Sequence, residues 1–205
     1  MLVFILLLSL TVVEFGESAG PSNKFEVTRG CLQYNTKDGY NHAHPYFATS
    51  RFRHLNTTQQ NVSIMRMGVL GFNDGHIRLA PVMYPYGGTS MNEIVLSGWG
   101  NTKIAVRRYV RNKPNNTTDQ VLLKEQSSDG MLSYFEPFMF TLAIHPDGLV
   151  QLTRDEDAYP FLEFKDPKLS SKYIGFCNWD VPLVFFYDCP LEVDHRVCEG
   201  IVFSK

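Results

Sequence analysis

The chain has 205 residues, of which 44% are hydrophobic and 13% aromatic, enough apolar material to fill the core of one domain. Its formal net charge of −2 lacks the basic surplus of nucleic-acid-binding proteins and offers little attraction to anionic lipid. Both of these partner classes are therefore excluded.

The N-terminus carries an apolar run over residues 1–13 that stops at Glu14 and reaches the small residues Ser18-Ala19-Gly20. This run is shorter than the roughly 20 apolar residues of a membrane-spanning helix, and it is typical of a signal peptide. We assign residues 1–19 to that peptide and expect a secreted, extracellular protein without a transmembrane segment in its mature form. Its removal deletes Glu14 and Glu17, so the 21 acidic residues become 19 and balance the 19 basic ones.

Polar, irregular sequence with a few short strands follows and is assigned as an N-terminal extension over residues 20–60. The remaining residues, 61–205, form the main domain, in which short β-branched and aromatic segments alternate with turn residues. Three hairpins are predicted, with turns at Asn73-Asp74-Gly75, the Gly98 to Thr102 bend and His145-Pro146-Asp147-Gly148.

Strands joined by such short turns run antiparallel, and one domain of this size buries their apolar faces by stacking two sheets. The sequence therefore predicts an all-β fold, an antiparallel β-sandwich of jelly-roll-like architecture.

Four cysteines, an even number, fit an oxidising compartment and predict two disulfide bridges with three possible pairings left open. Their spacing resembles neither a zinc site nor a redox pair. The four are Cys31, Cys177, Cys189 and Cys198. Four Asn-x-Ser/Thr triplets predict N-glycan acceptors on surface loops. These are Asn56, Asn61, Asn115 and Asn116.

A family resemblance rests on Phe72 to Leu79, on Asn92 to Lys103 with its Gly98-Trp99-Gly100-Asn101-Thr102 core, and on Phe138 to Thr153. Tyr173 to Asp180 and the closing Tyr187-Asp188-Cys189 agree too. Over roughly residues 60–190 the chain resembles the farnesoic acid O-methyltransferase-like domain of arthropod proteins.

The resemblance implies methyl transfer from S-adenosylmethionine to the carboxylate of a sesquiterpene acid. Methyltransferases of that kind typically bind the cofactor where a glycine-rich turn joins a parallel strand to a helix. Here Lys103 stands where a third glycine would complete the pattern after Gly98 and Gly100, and a strand follows. The residues therefore predict no cofactor, and similar domains in secreted defence and adhesion proteins imply recognition instead.

Two tryptophan sites are ligand-binding candidates. Trp99 and Asn101 lie in the glycine-flanked bend, where a ring could stack on a sugar while the amide binds its hydroxyls; Trp99 packing in the core, with Asn101 capping a turn, is the alternative. Trp179 and Asp180 form a second candidate before Pro182, again with core packing as the alternative.

Catalytic and metal sites are not predicted. His42-Ala43-His44 has no third ligand at a suitable spacing, and Asp155-Glu156-Asp157 cannot alone supply the six to eight oxygens that calcium requires. No serine lies in a Gly-x-Ser-x-Gly turn. The leading hypothesis is a secreted glycoprotein that recognises carbohydrate or another extracellular ligand. A methyltransferase and a structural secreted protein are the alternatives.

Overall fold

Thirteen strands dominate the computed structural model, which describes residues 23–191. The predicted signal peptide and Cys198 lie outside these residues. The strands are β1 Leu32–Thr36, β2 Tyr46–Ala48, β3 Asn56–Thr57, β4 Ser63–Leu70, β5 Gly75–Ala80, β6 Thr89–Ser97, β7 Lys103–Lys113, β8 Asn116–Ser127, β9 Phe138–Ile144, β10 Leu149–Arg154, β11 Leu162–Lys165, β12 Tyr173–Asn178 and β13 Leu183–Cys189. Two 3₁₀ turns, Lys24–Thr28 and Thr49–Arg51, and one left-handed turn, Gly98–Asn101, complete the described elements.

The strands form two antiparallel sheets. The first sheet has the order β1-β13-β4-β9-β10-β11, with β3 also paired to β4. The second sheet has the order β2-β12-β5-β6-β7-β8. Every strand pair among the described residues is antiparallel. The predicted jelly-roll-like β-sandwich is confirmed, and three strands arise within the predicted N-terminal extension.

The main core lies between the sheets because apolar residues recur at every second position of the central strands. Met65, Met67 and Val69 of β4 belong to one buried cluster with Ile77 and Leu79 of β5. The same alternation places Ile94 and Leu96, Val106, and Ile174 and Phe176 in this cluster from β6, β7 and β12. These positions form the inner face of the second sheet.

The opposite, outer face of the second sheet carries polar side chains that are nevertheless buried. Cys177 pairs with His76, and the next row on that face runs from Arg78 to Glu93 to Arg107. Loop residues cover them. The Arg78 guanidinium lies 4.6 Å from the Tyr40 ring, and Tyr86 hydrogen-bonds the backbone of His44 above the sheet.

The turns predicted as hairpins divide into two groups. The β6–β7 and β9–β10 hairpins are confirmed. The turn at Asn73-Asp74-Gly75 was wrongly interpreted as a hairpin, because β4 pairs within the first sheet and β5 within the second. The apolar faces of these two strands meet across the core, so the turn crosses from one sheet to the other.

One disulfide, Cys31–Cys189, joins the residue before β1 to the end of β13. The expectation that Cys177 forms a second bridge is not met: its thiol is free and fully buried on the outer face of the second sheet. Burial raises the pKa of this thiol to about 12. Separately, no helix within residues 23–191 is both long and apolar enough to cross a bilayer.

Candidate functional site

A cleft of about 390 Å³ opens at one end of the second sheet and is lined by Asp74, His76, Trp99, Arg107 and Trp179. The antiparallel order explains why these five residues meet. The start of β5, the end of β6, the start of β7 and the end of β12 all lie at that end of the sheet. We refer to this feature as the tryptophan cleft.

The bend between β6 and β7 positions Trp99. Its backbone has positive φ at Ser97, Trp99, Gly100 and Asn101, with values of 55°, 54°, 71° and 67°. Such left-handed conformations are costly for residues other than glycine and cluster at functional sites when the surroundings enforce them. A run of this kind is not an α-helical N-terminus that could receive an anionic cofactor.

Hydrogen bonds hold the bend in place. The Asn101 amide nitrogen donates to the Leu132 carbonyl at 2.9 Å, and the Leu132 N–H donates to the Asn101 amide oxygen at 3.3 Å. The Asp74 N–H donates to the Ser97 carbonyl at 3.0 Å, which ties the bend to the neighbouring turn. The Asn101 side chain is therefore buried and hydrogen-bonded, in agreement with the alternative in which it caps a turn. It holds the bend that carries Trp99 and does not line the cleft.

Both tryptophans present about half of their surface to solvent, 51% each. The Trp99 ring lies 5.7 Å from both the Lys103 Nζ atom and the Arg107 guanidinium carbon. The Trp179 ring packs 4.8 Å from Tyr40 and 6.5 Å from His76. Core packing is thus not the role of either ring, and the two tryptophans line the same cleft.

Two carboxylates lie on the acidic side of the cleft. Burial raises the pKa of Asp74, and the negative charge of Asp180 raises it further, whereas His76 and Arg107 oppose the shift. Asp180 is exposed beside Trp179. The cleft therefore combines two aromatic surfaces, the Arg107 cation and the Asp74 carboxyl group, with Asp180 just outside it, which suits a ligand with both apolar faces and polar edges.

Below the cleft, Glu93 is the centre of a buried hydrogen-bond network. It accepts from the Arg78 Nε atom at 2.8 Å and from the Tyr109 hydroxyl at 2.8 Å. The Tyr40 hydroxyl donates to its other oxygen at 3.3 Å. Burial alone would raise the pKa of Glu93, but His76 and Arg78 beside it hold that pKa well below its usual range.

Three potential metal ligands converge at the same place. Ligand atoms of His76, Glu93 and Cys177 lie within 4.8 Å of one another, and all three side chains are buried. However, Glu93 is already bonded to Arg78 and Tyr109, and the Arg107 guanidinium lies 4.0 Å from it. A further cation would add to this positive charge, so the arrangement does not favour a metal ion.

The remaining predicted sites are dispersed. The four sequon residues are all exposed. His42 is exposed whereas His44 is buried, with its Nε2 atom 2.7 Å from the Gly39 carbonyl. Asp155 pairs with Arg66 at 2.5 Å on the other sheet.

Sequence reasoning missed Asp74, His76 and Arg107, and also the residues beneath them. A usable signal was present: charged residues occupy alternate positions in otherwise apolar strands, as at Arg78 on β5 and Glu93 on β6. A charged residue in such a strand requires a partner if both faces are buried. What the sequence did not reveal was that the outer face is covered.

The chain matches one family model in sequence, and solved structures resemble it distantly. The sequence model of the family described as farnesoic acid 0-methyl transferase matches residues 40–191. No curated protein matches the chain significantly in sequence.

Solved structures with similar folds include a native glycosidic hydrolase, with 9% identity, a TM-score of 0.37, and coverage of 76% of this chain and 87% of that one. The TRIM65 PSpry domain has 6% identity and a TM-score of 0.35, with coverage of 71% and 90%. The Bacillus licheniformis β-glucanase has 12% identity and a TM-score of 0.34, with coverage of 78% and 90%. These values are too low to carry an argument about function.

Proposed function

The chain belongs to the farnesoic acid O-methyltransferase family, and we propose that it is a secreted recognition domain that binds carbohydrate in the tryptophan cleft. The observation that carries this proposal is the joint placement of Trp99 and Trp179, both half-exposed, on one cleft. The stacking hypothesis requires an exposed ring at Trp99, because a ring buried on both faces has no surface left for a ligand.

The physical basis is the two-sided character of a sugar ring. Its C–H faces are apolar and pack against aromatic rings, while its hydroxyl groups need hydrogen-bond partners at the ring edge. In the cleft, the carboxyl group of Asp74 offers acceptors, and the guanidinium of Arg107 offers donors. Both kinds of contact are available within one cavity.

Rigid positioning supports a binding role as well. The Trp99 bend is fixed by Asn101, and Trp179 is packed against Tyr40 and His76, so little side-chain entropy is lost when a ligand binds.

Secretion and glycosylation form the wider setting of the proposal. The Cys31–Cys189 disulfide fits an oxidising compartment. The exposed positions of Asn56, Asn61, Asn115 and Asn116 suit glycan attachment. Intact mass of protein from a eukaryotic secretory host, before and after glycosidase treatment, tests both points; retention of Met1 with an unshifted mass contradicts them.

Intrinsic fluorescence tests the binding proposal directly, because the two tryptophans of the chain both line the cleft. A panel of glycans is titrated while tryptophan emission is followed, and the melting temperature is recorded with each glycan, with S-adenosylmethionine and with farnesoic acid. A ligand that binds the native state raises the melting temperature. Responses to glycans alone support recognition, whereas responses to S-adenosylmethionine and farnesoic acid support methyl transfer and contradict the proposal.

Alanine variants locate the binding site by calorimetry. Trp99→Ala is expected to abolish glycan binding with only a modest loss of stability, since its ring is half-exposed rather than enclosed in the core. Trp179→Ala is expected to weaken binding as well. Tyr159→Ala is the matched control, because Tyr159 is 82% exposed and is not among the residues that line the cleft. Unchanged binding in both tryptophan variants contradicts the site.

A further inference from the structure

Positive charge is in excess beneath the tryptophan cleft. On the outer face of the second sheet, the guanidinium groups of Arg78, Arg107 and Arg111 share a network with the carboxylate of Glu93. Arg78 and Arg111 are fully buried, and the Arg107 side chain is 19% exposed. The rings of Tyr40 and Tyr109 lie against the two buried guanidinium groups, 4.6 to 5.1 Å from ring centre to guanidinium carbon.

Several N–H donors of these groups have no hydrogen-bond partner among the described residues. They include the Arg78 Nη1, Arg107 Nε and Arg111 Nε atoms. Both ring nitrogens of His76 are also buried; neither makes a hydrogen bond of good geometry, although the Nδ1 atom lies 3.4 Å from Glu93 Oε1. Buried donors that stay unpaired are costly, and their number shows that this network has more N–H donors than acceptors.

Arg107 connects this network with the cleft. It lines the cavity, and within residues 23–191 its guanidinium makes no hydrogen bond; its nearest carboxylate atom is Glu93 Oε1, 4.0 Å away. It also lies 5.7 Å from the Trp99 ring. A sugar stacked on Trp99 therefore brings its substituents within reach of a guanidinium that makes no hydrogen bond to the described residues.

The acidic side of the cleft does not cancel this attraction. Burial raises the pKa of the Asp74 carboxyl, whereas the nearby Trp99 backbone N–H and the Arg107 guanidinium oppose this shift. The carboxylate within 4.0 Å of the Arg107 guanidinium is that of Glu93, and among the described residues Arg107 makes no ion pair with Asp74, so Asp74 does not occupy it. Asp180 stands outside the cavity lining and is solvent-exposed, where water screens its charge.

We infer that the saccharide bound in the tryptophan cleft carries a carboxylate, as a uronic acid does, and that Arg107 binds this carboxylate. The planar guanidinium matches a carboxylate through two parallel N–H···O hydrogen bonds, which a neutral hydroxyl cannot form. The His76 ring forms part of the same wall, but both of its ring nitrogens are buried, which leaves the carboxylate contact to Arg107. This inference rests on the proposed carbohydrate function and narrows its ligand class.

The test compares each acid with its own ester. Glucuronate and galacturonate, and the methyl ester of each, are titrated into the unmodified protein at low ionic strength while tryptophan emission is followed. The free acids are expected to bind about tenfold more tightly than the esters, the smallest gain typical of a charged hydrogen-bonded pair. Equal affinity of acid and ester overturns the inference and leaves the carbohydrate proposal intact. If no sugar binds, including those of the neutral glycan panel, both the carboxylate inference and the carbohydrate proposal are overturned.

Arginine variants assign the preference to one side chain. Arg107→Gln is expected to remove the discrimination between acid and ester, and Arg107→Lys to restore only part of it because a lysine lacks the bidentate geometry. Lys165→Gln is the control: it deletes the same charge from an exposed ion pair with Asp147. If Lys165→Gln lowers the preference as much as Arg107→Gln, general charge rather than a specific contact is responsible, and the assignment to Arg107 is wrong.

A quenching experiment tests the charge of the cleft without any sugar. With each ion's quenching normalised to its quenching of free N-acetyltryptophanamide, iodide is expected to quench the tryptophan emission more strongly than caesium, and Arg107→Gln to narrow that difference. Equal or stronger quenching by caesium contradicts a cleft that attracts anions. The melting temperature of each variant shows whether it is folded.

Discussion

The two faces of the second sheet are built from alternate residues of the same strands, yet they differ completely in chemistry. On the inner face, Ile94 of β6 packs among aliphatic and aromatic side chains. On the outer face, its neighbour Glu93 accepts hydrogen bonds from arginine and tyrosine side chains. Both residues are fully buried. Burial alone therefore does not identify the core, and the side of the sheet decides whether a residue contributes packing or polar interactions.

Glu93→Gln is expected to cause a larger loss of stability than substitutions elsewhere in the second sheet. It removes the carboxylate that balances the neighbouring guanidinium groups, and a buried ion pair that loses one partner typically costs about 3–5 kcal/mol. Chemical denaturation measures the free energy of unfolding. Glu125→Gln, which breaks an exposed pair with Lys103, is the control and should change stability little. An equally small effect of both substitutions would mean that the outer network does not stabilise the fold.

Ile94→Val tests the inner face at the adjacent position. The loss of one methylene from a well-packed core is expected to cost about 0.5–1.5 kcal/mol, less than the loss of the Glu93 charge. Val121→Ala on the exposed strand β8 serves as the surface control. If Ile94→Val lowers the free energy of unfolding more than Glu93→Gln does, the expected ranking of the two faces by their contribution to stability is wrong.

Cys177→Ala is expected to have the smallest effect at neutral pH and a distinct effect in alkali. The folded thiol has a pKa of about 12, whereas its ordinary value is 9.0. Above pH 9 the Cys177 thiol of the unfolded chain loses its proton, while that of the folded chain keeps it. The contribution of Cys177 to the free energy of unfolding is therefore fully present below pH 9 and decreases as the pH rises.

The measurement is the free energy of unfolding of both proteins from neutral to alkaline pH. The difference between the unmodified protein and Cys177→Ala should shift in favour of the variant as the pH rises past 9. A constant difference over this range contradicts a protonated, buried thiol. Alkylation of the native protein near neutral pH offers a second check and should leave Cys177 unlabelled.

The sequence allowed most of the strands to be predicted because one buried face leaves a two-residue period. It did not reveal β8, whose residues are almost all exposed and therefore lack that period. The turn at Asn73-Asp74-Gly75 was misassigned for a different reason. A hairpin and a crossing between sheets have the same local pattern, and only the distant pairing of β4 with β9 and β13 distinguishes them.

The candidate site could be predicted in part. Trp99 and Trp179 were singled out as isolated aromatic residues beside turns, but their convergence depends on the order of β12, β5, β6 and β7 in the sheet. His76 and Arg107 were missed because a polar residue within a strand is ordinarily solvent-facing. The loop around Tyr40 changes that expectation by covering the sheet, and nothing local in the sequence indicates where that loop lies.

The Cys31–Cys189 bridge has a mechanical consequence. It connects two points 158 residues apart in the chain whose Cα atoms lie only 4.0 Å from each other. Tension applied to the segments outside these two cysteines passes through the covalent bond and bypasses both sheets. The tryptophan cleft, which lies wholly inside the bridged loop, is therefore shielded from tensile load, and stretching the protein from outside the two cysteines leaves the cleft undistorted until the bridge is reduced.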